Sequence, residues 1–193
     1  MGRSWLGKRY FMAVLLSPWL AGAAVAMEKF PDEQEPAYPG TFEEALPWME
    51  REFQMPPYPN DKDLLVVAPV RSDPQFDYAV DGKNLSVGDD GVVRYTLVIS
   101  AKNGNARNVR VEGIRCGTTE YKTYAYGTDQ GTLKPARRPE WTPIRDHLSD
   151  RIRADLKRYY FCKEGQGVPF RRNKIMHYLR VGADTGGNRF LFE

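Results

Sequence analysis

The sequence predicts a single α+β domain. An antiparallel β-sheet, a meander over residues about 64–127, is expected to be covered on one face by two C-terminal helices. Three observations lead there. Strand-like alternation is concentrated in residues 92–127, and helix-like spacing comes later, in residues 143–181. The chain also has only two cysteines, Cys116 and Cys162, and they sit at element boundaries in those two halves.

The chain opens with Arg3, Lys8 and Arg9 and no acid, followed by an apolar run, residues 10–26, that ends in Ala24-Val25-Ala26. A basic end, an apolar stretch and a small-x-small site make a secretory signal, with cleavage expected after Ala26. The run falls short of the ~20 residues a span requires; an uncleaved anchor is the alternative. The signal holds three of the 28 Lys+Arg, so the mature chain balances the 25 Asp+Glu and carries no general field for nucleic acid. No stable membrane span is expected after cleavage.

Residues 27–60 form an acidic segment holding half of the chain's 14 prolines. Such a composition buries little. Within it, residues 42–53 suit a short helix capped by Thr41, weakened by Pro47, from which Leu46, Trp48, Met49 and Phe53 could dock on the core or on a partner. The domain proper is expected over residues 61–182, followed by a Gly-rich tail, 183–193, that reads as a last short strand or a loose end.

Residues 64–70, LLVVAPV, read as a strand that Pro69 confines to an edge. Phe76, Tyr78 and Val80 alternate as a second strand. Asp81-Gly82 and Gly88-Asp89-Asp90-Gly91 are turn chemistry, and the latter lacks calcium-loop spacing. Residues 92–101 are the clearest strand, with Val93, Tyr95, Leu97, Ile99 and Ala101 on an apolar face and Val92, Arg94, Thr96, Val98 and Ser100 on the other. Asn103-Gly104 then suits a hairpin turn within a somewhat long loop. In the next strand Val109 and Val111 share one parity, and Ile114 and Cys116 the other. A β-bulge at Gly113 would return both pairs to the core; otherwise Val109 and Val111 pack on an outer face. Residues 120–126 form a third strand with Tyr121 on one face and Tyr124 and Tyr126 on the other; stacking on sugars is an alternative to packing for these tyrosines.

Thr142-Pro143 fit a helix start, and Ile144, Leu148, Ile152, Leu156 and Tyr160 follow at four-residue spacing, predicting an amphipathic helix of about four turns that ends at Cys162, with Arg151 and Asp155 paired on its outer side. A second helix over residues 171–181 would pack Ile175, Leu179 and Met176 and stop at Gly182. Export supplies an oxidant, so a Cys116–Cys162 disulfide is expected to tie the first helix end to the sheet.

No catalytic constellation emerges. Ser72, Ser86, Ser100 and Ser149 lie outside any Gly-x-Ser-x-Gly elbow. His147 and His177 lack ligand-spaced partners, so no metal is expected. Asp146 and Asp150 share one helix face rather than flanking a cleft, and no phosphate loop or dinucleotide fingerprint appears, so no cofactor is expected. Arg137, Arg138, Arg171, Arg172 and Lys174 are candidate binding residues if the fold brings them together. They could meet an anionic envelope surface or the chain's own acidic segment, residues 27–63 carrying net −7 and residues 64–193 net +7.

The runs Asn84-Leu85-Ser86-Val87-Gly88, Asp90-Gly91-Val92-Val93-Arg94-Tyr95-Thr96-Leu97-Val98, Gly113-Ile114-Arg115-Cys116 and Tyr159-Tyr160-Phe161-Cys162 resemble the uncharacterised cryptic neisserial protein family, over residues 61–179. The resemblance implies an exported protein of Gram-negative bacteria and supplies no catalytic or binding residues. The resulting expectation is a periplasmic, non-enzymatic accessory or binding module for an envelope component. The alternative is an envelope hydrolase with an unrecognised site around His147 or His177.

Overall fold

The structure, a computed structural model, describes residues 47–182 apart from 71, 72, 74 and 146. The expected signal segment, residues 42–46 of the expected 42–53 helix, Ser72, Asp146 and the tail lie outside the described residues; residues 47–53 are not helical, as Pro47 disfavours a helix there.

Among the described residues eight antiparallel strands make one sheet: β1 Leu64–Val67, β2 Phe76–Asp81, β3 Ser86–Val87, β4 Val92–Ala101, β5 Arg107–Arg115, β6 Glu120–Gly127, β7 Leu133–Pro135 and β8 Thr142–Pro143. The order is β1-β2-β4-β5-β6-β7, with β3 pairing β4 and β8 pairing β6. As Pro69 required, β1 is an edge strand. The Asn103-Gly104 hairpin closes with the Ala101 N–H donating to the Ala106 carbonyl, and Gly104 takes the positive φ of 131°.

The most regular strand, β4, differs from its expected form. Its residues at 93, 95 and 97 are buried, but so are Val92, Arg94, Thr96 and Val98 on the opposite parity. The β4–β5 register runs unbroken from Val92↔Arg115 to Ser100↔Arg107, so no bulge sits at Gly113 on that side. Val109 and Val111 stay on the parity opposite Ile114 and are buried there. The irregularity lies in the next ladder: Val111 pairs with Ala125 but Glu112 pairs with Thr123, which leaves Tyr124 as the extra residue of β6. Gly113 makes room for it, since a Cβ there would come 2.7 Å from the Tyr124 hydroxyl.

The first helix starts later than predicted. Thr142 and Pro143 form β8 against Glu120 and Tyr121 of β6, an edge position that tolerates a residue without an N–H. A 3₁₀ turn, Leu148–Asp150, leads into α1, Arg151–Asp155, which continues as a π-helical segment, Leu156–Phe161. Four-residue spacing outruns a 3.6-residue turn, and the wider segment keeps Ile152, Leu156, Tyr160 and Phe161 buried together. The Cys162 N–H closes it on the Lys157 carbonyl at 3.0 Å. Leu148, expected in the core, is 73% exposed, and Asp155, expected outside, is buried.

The second helix, α2, spans Arg172–Val181, buries Ile175, Met176 and Leu179, and ends at Gly182 with φ of 85°. These residues, with Ile152, Leu156, Tyr160 and Phe161, share one cluster with Val80, Val93, Tyr95, Leu97 and Ile114. Cys116 and Cys162 are joined as expected, with α-carbons 5.6 Å apart.

Candidate functional site

Residues 47–58 run without regular structure and are pinned to the sheet by a cluster of charged and aromatic groups. Lys122 and Tyr124 stand two apart on β6, Lys122 pairs across the ladder with Gly113, and Gly113 pairs with Arg94, so one row of the sheet presents cations to the strap. Glu50 is its anchor. The Glu50 carboxylate accepts from Lys122 Nζ at 2.7 Å, the Tyr124 hydroxyl at 2.6 Å and the Trp141 indole at 3.2 Å, with an Arg94 nitrogen 3.6 Å away. Arg94, 4% exposed, donates to Asp90 at 2.6 and 3.2 Å and to the Arg51 carbonyl at 3.0 Å. Asp90 in turn accepts from the Arg51 and Val92 backbone N–H groups. Phe53 packs on Tyr124, and Trp48 sits edge-on to Trp141 with the Arg115 guanidinium 3.7 Å over its ring.

Burial pushes the Glu50 carboxyl up, but the Lys122 and Tyr124 hydrogen bonds, the Lys122 charge and the Trp141 indole outweigh it and hold it below the ordinary value. Asp90 follows the same balance: burial raises it, and Arg94 with the two backbone donors brings it below. For Tyr124, burial and the Glu50 hydrogen bond push the phenol far up, so it remains a donor.

A second ionic cluster lies among the core residues. Arg153 Nε and an Arg153 terminal nitrogen donate to the two Glu112 oxygens at 3.0 and 2.5 Å, and the Tyr95 hydroxyl donates to Glu112 at 3.0 Å. The other Arg153 nitrogen reaches Asp150 at 3.1 Å and the Ser149 carbonyl at 3.0 Å, while Tyr121 lies 4.1 Å under the guanidinium. Arg153 and Glu112 are 2% and 0% exposed. Burial would lower the Arg153 pKa, but the Glu112 charge and hydrogen bonds hold it above the ordinary arginine value.

At the β4–β5 hairpin end of the sheet an open groove of about 910 Å³ is walled by Tyr58, Phe76, Tyr78 and Ile99, with Arg107 and Arg110 among its polar groups. Burial, helped by the Asp73 charge, pushes the Tyr78 phenol up and keeps it protonated. Arg107 is tied to Asp61 at 2.6 Å, and Arg110 Nε donates to Asn108 at 2.9 Å.

Residues 43–180 match the CNP1-like family. The chain belongs to that family. No curated protein and no solved structure matches it. The match begins ahead of the strap, so the CNP1-like region takes in both the strap and the sheet it lies on.

Within this CNP1-like region the predicted binding residues separate. Arg137 and Arg138 follow β7, one end of the strand order, and are exposed. Arg171, Arg172 and Lys174 stand at the start of α2, which packs by β1 at the other end. Arg172 is structural in its contacts: it donates to the Leu85, Gly82 and Lys83 carbonyls and fastens α2 to the β2–β3 turn. Lys174 lies 4.6 Å from the Tyr178 ring centroid. His177 is on α2 and exposed, whereas His147 precedes the 3₁₀ turn instead of lying in a helix. Neither lines the hairpin-end groove. Among the described residues no group of three or more His, Cys, Asp or Glu could hold a metal, and no helix is long and apolar enough to cross a membrane.

Sequence reasoning passed over Glu50, Arg94, Glu112 and Arg153. A signal was available for one of them: Arg94 interrupts a strand, residues 92–99, whose other members are nearly all apolar, which is where a charge requires a buried partner.

Proposed function

We propose that this CNP1-like protein is exported to the periplasm, loses its signal after Ala26, and works there as a non-enzymatic accessory module that binds an envelope component in the hairpin-end groove. The finer resemblance to cryptic neisserial proteins belongs to this reading, as does a helix layer covering the sheet face that carries Val93, Tyr95 and Leu97. The groove is the observation that carries it. Its volume lies in the range of ligand sites, its walls are aromatic and aliphatic, and Arg110, whose Nε is held by Asn108, has terminal nitrogens to orient a polar group. The Cys116–Cys162 bond supports an oxidising compartment.

The test uses immobilised mature protein, wild type and Arg110→Glu, in periplasmic extract, beside a panel of hydrolase substrates. The expected result is a component retained by wild type and lost by the variant, with no turnover. Turnover of any panel substrate, or equal retention by both proteins, would overturn the reading.

A further inference from the structure

Away from the strap and the groove, a cavity of about 590 Å³ lies beside the disulfide. Four cations line it, Arg145, Lys157, Arg158 and Lys163, against one carboxylate, Glu164. Elsewhere in the domain the buried cations Arg94 and Arg153 are held by carboxylates, Asp90 and Glu112, as the half-buried Lys122 is by Glu50. Here the ion pair is Arg158–Glu164 at 3.4 Å, between side chains 60% and 77% exposed, where such pairs contribute little. Arg145, Lys157 and Lys163 have no ion pair among the described residues, and Lys157 is half-buried. Gathering like charges in a concavity is unfavourable in the free protein and favours an anion that neutralises them.

The walls are also fixed in advance. The disulfide joins the end of the π-helical segment to the β5–β6 turn on one side. On the other, Gly117 and Gly167 bring two backbone segments together so closely that a Cβ on Gly167, at φ of 64°, would come 3.3 Å from the Gly117 α-carbon. Rigid walls spare a ligand the cost of ordering its site. One guanidinium beside two ammonium groups suits several oxygens on one compact anion.

We propose that this cavity is a binding site for a phosphate-type oxyanion, free or carried on a lipid headgroup. The experiment measures binding of inorganic phosphate by calorimetry, and of vesicles of phosphatidylcholine with and without phosphatidylglycerol by co-sedimentation. Mature wild type is compared with Lys157→Ala/Lys163→Ala and with a charge-matched control, Lys62→Ala/Lys134→Ala, on exposed residues elsewhere. Circular dichroism confirms that all three are folded. The site variant should lose about tenfold or more in affinity while the control stays within about twofold of wild type. Phosphate binding that follows this pattern supports a site for the free ion. Binding only to phosphatidylglycerol vesicles with the same pattern supports a headgroup site. Absence of binding in both arms, or equal loss in site variant and control, overturns the proposal.

Discussion

The two ionic clusters use similar chemistry for different ends. Each sets a glutamate against an arginine with tyrosine help, one at Glu112–Arg153 and one at Glu50–Lys122–Arg94. The first is sealed, with both partners at 2% exposure or less, and joins β5 to α1. The second leaves Glu50 21% exposed and holds a strap with no backbone ladder of its own; its Met49 is 76% exposed. A sealed pair broken on one side strands a charge without water. A pair at the edge of solvent, as Glu50 and Lys122 are, is resolvated when broken on one side. The first cluster therefore belongs to global stability, and the second sets whether one segment stays on the sheet.

The largest expected effect is on the sealed cluster. Glu112→Ala should destabilise the domain by about 3 kcal/mol in denaturant unfolding, because Arg153 stays buried without its bidentate partner and keeps only Asp150 and the Ser149 carbonyl. Glu112→Leu combined with Arg153→Met should recover most of that loss, and a double variant as unstable as the single one would refute the reading of a stranded charge.

Next comes the disulfide. It closes a 46-residue separation, worth about 4 kcal/mol by chain-entropy reasoning, less any native strain. Cys116→Ser, or reductant on the wild type, should lower Tm markedly, and unchanged melting under confirmed reduction would contradict this.

Glu50→Gln should cost only about 1–2 kcal/mol, since charge-assisted hydrogen bonds weaken while the strap rehydrates. Protease sensitivity should rise within residues 47–58 and not in β4. Cleavage throughout the sheet would mean that the strap is as integral as α1.

These differences explain what the sequence could tell. The period-two pattern of residues 92–101 located β4 because one apolar parity is a local signal. Its other parity looked solvent-facing because Arg94 and Thr96 are polar, and the strap over Arg94, residues 47–58, has prolines and no period that would announce it. The start of α1 was misplaced because Thr142-Pro143 satisfies helix capping and sheet edge alike. Only the pairing with Glu120 and Tyr121, a non-local contact, decides between them. The bulge was sought at Gly113 because glycine marks irregular strands, whereas the extra residue is Tyr124 and the glycine clears space for it. The disulfide was legible since two cysteines leave one pairing within the chain.

The most direct measurement of the contrast is an acid titration of residues 27–193, following tryptophan emission and far-UV circular dichroism together. Within residues 27–193 the tryptophans are Trp48 and Trp141, both in the strap cluster, so emission reports the strap while dichroism reports the fold. Glu50 and Asp90 have folded-state pKa values below their ordinary ones. Their contribution is therefore complete above the unfolded carboxylate range of ~4 and fades as pH falls through the lowered folded values. The account predicts an emission shift below about pH 4 that precedes loss of the sheet signal, and that moves to higher pH in Arg94→Lys. Coincident transitions in emission and dichroism would contradict it.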